Sequence, residues 1–185
     1  MVVAATVTVS RVPPVGLLFT LHGWVVIGHG IVLGGLFIAA LAATLAALLF
    51  YRPALLTEAG RLRLAVGLKA AGLTAIVAGW LAVLLGTFVV DPYFHGGSDP
   101  PAHILESYGG TVRWVTWAMP AKENLAWMSA ILASVAVIAL FVCGERLLQR
   151  SPARTLVLAF LILGLAFAGL AGLLGAGLAK VGPIV

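Results

Sequence analysis

Charge is what this sequence has least of. Among its 185 residues only 9% are Asp, Glu, Lys or Arg, against 62% that are hydrophobic, and the mean hydropathy is +1.15. A soluble domain carries about 25% charged residues, so the composition excludes a soluble enzyme and equally a disordered tail. Cysteine is nearly absent too. Cys143 is the single one, which removes any intramolecular disulfide and every cysteine-based metal motif. No basic stretch precedes the first apolar run, and Arg11 comes after it, unlike a cleaved signal peptide. There is no nucleophile–base–acid set, no phosphate loop and no C-x-x-C-H haem attachment motif.

What is present is a set of apolar runs longer than the ~20 residues that cross a bilayer. They lie at about 15–50, 61–90, 120–148 and 152–180. The expected fold is all-α and integral to the membrane, a single domain over 1–185 built as a four-transmembrane-helix up-down bundle. Proline and glycine punctuate it. Pro53 and Gly60 break the first connection, Asp91-Pro92 ends the second helix, and Pro120 and Pro152 suit first-turn positions.

The net charge of +5 would suggest nucleic acid in a soluble chain, but here the arginines flank apolar runs. Arg52, Arg61, Arg63 and Lys69 surround the first connection; Arg146, Arg150 and Arg154 surround the third. Asp91, Asp99, Glu106 and Glu123 gather on the other side, with Arg11, Arg113, Lys122 and Lys180 scattered among them. The positive-inside rule therefore predicts a bacterial-type cytoplasmic membrane protein, N-out and C-out. Its long extracytoplasmic loop, 91–119, would carry short interfacial helices as a lid. Lipid bilayer and other membrane subunits are the expected partners, and nucleic acid is not.

Between about Ile31 and Leu49, Ala70 and Val90, Ser129 and Cys143, and Thr155 and Ala179, Cys143 is the one ionisable side chain. Pumps need titratable groups at such depth, so a proton pump is disfavoured. Small residues recur there instead: Gly35, Ala39, Ala43 and Ala47 on the first helix, and Gly72, Ala75, Gly79, Ala82 and Gly86 on the second. The fourth has Gly164, Ala168, Gly172 and Ala176. Such seams let backbones approach closely, within the bundle or against a partner subunit.

All four histidines fall towards the outer side: His22, His29, His95 and His103. At 1.5 Å per residue His29 stands about 31 Å above Phe50, and Met128 about 30 Å above Leu148. Glu123 and His22 come out near ~37 and ~42 Å on the same count, with Trp24, Trp117 and Trp127 at similar heights. Gly23, Gly28 and Gly30 surround His22 and His29, so the first helix either tilts, protrudes or breaks there.

Three chemistries fit this zone. One is haem b, with His22 or His29 as axial ligand and His95, His103 or Met128 as the second. Another is a metal held by His22, His29 and Glu123. The third is structural: interfacial histidines and a tryptophan belt, with room for a quinone or lipid contact. Four helices with histidines resemble the small membrane cytochromes b in that combination. Two-haem members pair histidines on facing helices at both membrane sides, whereas helices 2, 3 and 4 here have none, so at most one outer haem follows the pattern. The function expected is a small membrane subunit of a respiratory or other electron-transfer complex, structural or holding one haem b or quinone. A stand-alone membrane metalloenzyme or small-molecule carrier is the alternative.

Overall fold

A computed structural model describes residues 21–52, 55–96, 100–144 and 152–181. Their regular secondary structure is all helical, with no strand among them. Helix α1 runs through Leu21–Ile27, a π-helical turn at Gly28–Leu33, and Gly34–Leu49. Helix α2 comprises Glu58–Leu85, a second π turn at Gly86–Val90, and Asp91–His95. A short helix α3 covers Pro101–Ser107. Helix α4 opens with a third π turn, Trp114–Ala118, and continues as Met119–Cys143; α5 is Pro152–Val181. Four stretches, Trp24–Leu49, Glu58–His95, Trp114–Cys143 and Pro152–Lys180, are long and apolar enough to cross a membrane.

The helix ends follow from their residues. The Thr57 side chain accepts a hydrogen bond from the Gly60 N–H at 3.2 Å, and Glu58 sits in the first turn, where a negative charge suits the helix dipole. This cap starts α2 at Glu58 rather than at the expected residue 61. The helix ends at Gly96, whose backbone turns extended, and a Cβ there would stand 2.5 Å from the Pro92 carbonyl oxygen. Gly144, at φ +51°, terminates α4 in a conformation that favours glycine. The expected start of the first helix at 15, the end of the third at 148, Asp99, Arg146 and Arg150 all lie outside the described residues.

Two prolines read as helix boundaries lie inside helices. The Asp91 N–H bonds the Gly86 carbonyl and the Met119 N–H bonds that of Trp114, each five residues back. Each widened turn is followed at once by a proline, Pro92 or Pro120. A proline in an α-helix lacks an N–H and clashes with the carbonyl four residues back; a π turn moves that carbonyl out of register. Helix α2 therefore passes Pro92 and α4 begins before Pro120. The expected 29-residue lid at 91–119 shrinks to 96–113, with α3 in it. The first helix does not break at its glycines: it widens into a π turn and continues.

Side-chain contacts set the order of packing. On α1 and α2, Phe37 meets Gly79 and His29 meets Gly86; on α2 and α4, Val137 meets Gly72 and Trp80 meets Ser134. On α4 and α5, Ser129 meets Gly164 and Trp114 meets Gly177. In each pair a rising number on one helix meets a falling number on the next. An Arg154 guanidinium N–H donates to the Leu48 carbonyl, closing the ring between α5 and α1. That carbonyl is among those a helix C-terminus leaves without an intrahelical partner.

The core is Phe37, Leu41, Leu48, Leu68, Ala75, Ala133, Ala136, Leu161 and their neighbours. Its fully buried hydroxyls are satisfied: Thr44 Oγ1 donates to the Ala40 carbonyl at 2.8 Å and Ser129 Oγ to that of Gly164 at 2.7 Å. A polar bond between membrane helices is worth about 0.6 kcal/mol on average, so packing dominates. Leu73, Val77, Ile138, Leu163 and Leu173 point outward, the apolar coat a bilayer requires. At the lid end, Ala102 and Leu105 of α3 and Val115 of α4 form a second small core with Phe94 of α2.

Candidate functional site

Because α2 continues past Pro92, its last turn brings Asp91 and His95 to the level where α4 presents Lys122 and Glu123. His95 Nδ1 lies 2.9 Å from Asp91 Oδ1, an i,i+4 pair on one helical face. The same nitrogen is 3.3 Å from the Asp91 carbonyl oxygen. Asp91 Oδ1 is buried and takes no well-aligned hydrogen bond, so its contact with His95 is one of proximity and charge. The Glu123 carboxyl faces that of Asp91 closely enough to hydrogen-bond it, and feels Lys122 and His95 as well. Lys122 is in electrostatic reach of both carboxyls. Its side chain runs past Gly175 of α5, where an added Cβ would stand 3.7 Å from Lys122 Cε, and ends 3.9 Å from the Met119 sulfur.

His29 belongs to the same end. Its ring lies against Gly86, the first residue of the π turn in α2, and it hydrogen-bonds the Ala82 backbone. Nδ1 is buried with no partner. Lys122 is close enough to act on the ring electrostatically. Gly86 is about 7.5 Å below Asp91 along α2, so His29 is the deepest member of a cluster that descends from the rim into the apolar zone.

Of the residues singled out from the sequence, the structure thus gathers His29, His95 and Glu123, and adds Asp91 and Lys122. His103 is elsewhere: it is exposed on α3, where its N–H closes the first turn on the Pro100 carbonyl. Met128 is half exposed on the surface of α4. His22 falls in α1, but its side chain lies outside the described residues. Trp24 and Trp117 are exposed, as a belt requires, whereas Trp127 turns inward and packs edge-to-face on Trp80 at 5.6 Å. Among the described residues no three His, Cys, Asp or Glu side chains converge to hold a metal ion.

The signal for Asp91 was its four-residue spacing from His95. Pro92 between them concealed it, because that spacing matters only on a helix. Chemically, the cluster offers a cationic donor in Lys122, a ring nitrogen in His29 and two carboxyls that accept or hand on protons. No family model, curated protein or solved structure matches the chain.

Proposed function

We propose that the chain is a membrane-embedded subunit of a larger electron-transfer assembly in a bacterial cytoplasmic membrane. In this reading the bundle runs up-down-up-down with both termini and α3 outside, as its arginine placement favours. The outer-rim cluster engages the polar head of a membrane-soluble redox partner, a quinone. The observation that carries this is the meeting of Asp91, Lys122, Glu123 and His29 at one end of a bundle whose middle is uncharged. Ionisable groups at membrane depth are costly and serve function by default, and π turns concentrate at functional sites. A quinone presents oxygens on an apolar ring and exchanges protons when reduced, which suits donors and carboxyls beside lipid.

A haem b on His29 is the second form, favoured by the unpartnered Nδ1. It asks more of the bundle, because the His29 ring already fills the gap against Gly86. Uncovered small residues support the subunit role: Gly35, Ala39 and Ala43 on α1, and Gly172 and Ala176 on α5, face outward. Nothing lies within 4 Å of where a Cβ on Gly35 or Gly172 would be.

The test is purification from native membranes in mild detergent, with oxidised and dithionite-reduced spectra and quinone extraction. Co-purifying membrane chains together with stoichiometric quinone or a haem α band are expected, the quinone falling in Glu123→Gln. A lone, monodisperse chain with neither overturns the proposal. A transition metal retained in their place would install the metalloenzyme on His22, His29 and Glu123, and transport by the lone chain a carrier.

A further inference from the structure

At the other end of the bundle, where α1 stops and α2 begins, there is a pocket of about 440 Å³. It is lined by Ala47, Phe50, Tyr51, Leu55, Leu56 and Leu64, and Arg52 is the charged residue of its lining. The size is that of a ligand site, which runs to roughly 300–1,000 Å³. Its position is unusual for so apolar a cavity. Leu64 lies about 7.5 Å along α2 from Lys69, beyond the uncharged stretch that fills the hydrocarbon. Arg61 and Arg63 sit within a turn of Leu64, and Phe50 and Leu55 are 76% and 79% exposed beside it. Apolar surface and positive charge thus meet at the level of the lipid headgroups.

We infer that this pocket binds an anionic phospholipid, with an acyl chain against Ala47, Phe50, Leu56 and Leu64 and the phosphate held by Arg52. A free phosphate has no use for the apolar walls, and an uncharged lipid none for the guanidinium. Both features are used when one molecule carries an anionic head and a hydrocarbon tail. This site is independent of the outer-rim cluster.

The experiment is native mass spectrometry of the purified full chain in mild detergent, loaded with phosphatidylglycerol or phosphatidylcholine. Retention of phosphatidylglycerol should exceed that of phosphatidylcholine about fivefold, the worth of one basic residue against an anionic headgroup. Arg52→Gln, an exposed substitution that leaves the core untouched, should level the two lipids. Ala47→Trp, which fills the pocket, should lower retention of both. Millimolar glycerol 3-phosphate should displace neither. Equal retention by the unaltered chain, or a preference that survives Arg52→Gln, overturns the inference. Displacement by glycerol 3-phosphate does so as well, since it would mark a phosphate site only.

Discussion

The imidazole of His29 occupies the space that a side chain at position 86 would need: a Cβ built on Gly86 would lie 2.6 Å from His29 Cε1. Both residues are in π turns, one on α1 and one on α2. The widened backbone and the missing Cβ together admit a ring between two helices at the end of the bundle that carries α3.

Gly86→Ala should therefore destabilise the protein, although alanine is the better helix former by about 1 kcal/mol. The clash should win, at roughly 1–3 kcal/mol for overpacking. Unfolding in mixed micelles would measure it. His29→Ala added to Gly86→Ala should recover most of the loss, and a double variant as unstable as the sum of the two would refute the contact.

Lys122 acts electrostatically on both Asp91 and Glu123, so Lys122→Met removes a positive charge that offsets the repulsion between those carboxyls. Loss of stability is expected, relieved by a second change, Glu123→Gln. The coupling energy from the double-mutant cycle should fall within about 0.5–3 kcal/mol, the range for residues in one ionic network. Strict additivity would mean that the three do not form a cluster.

Deleting Val89, exposed on the π turn of α2, should convert that turn to α-helix and set Pro92 against the preceding carbonyl. The cost should approach ~3 kcal/mol, that of proline within a helix. Combining the deletion with Pro92→Ala should restore most of it. If the deletion alone is neutral, the π turn is not what accommodates the proline.

In a Cys143→Ser background, Tyr108→Cys should react with a membrane-impermeant maleimide in intact cells. Arg63→Cys should react only after lysis. Both positions are exposed at opposite ends of the bundle. The reverse pattern would invert the topology argued from the arginines.

The glycines show how far a sequence can be read. The row Gly72, Ala75, Gly79, Ala82 and Gly86 does mark a close approach, and the structure turns it inward against Val137, Phe37 and His29. The equally regular row Gly35, Ala39 and Ala43 faces outward. Four-residue spacing states that a face is smooth; it does not state what meets it. Likewise Trp24, Trp117 and Trp127 share one height, yet Trp127 is drawn inside by Trp80.

The sequence by itself determined the solvent and the number of crossings. Charge is too costly in hydrocarbon to be placed anywhere but the ends, so its distribution marks those ends directly. It also pointed to the end of the bundle that carries the histidines as the place for polar chemistry. Tertiary structure alone decided which of those polar groups meet. A π turn is rare and has no sequence mark of its own, so Pro92 and Pro120 read as boundaries until packing holds the widened turns. Only then does α2 continue far enough to set Asp91 and His95 beside Lys122 and Glu123.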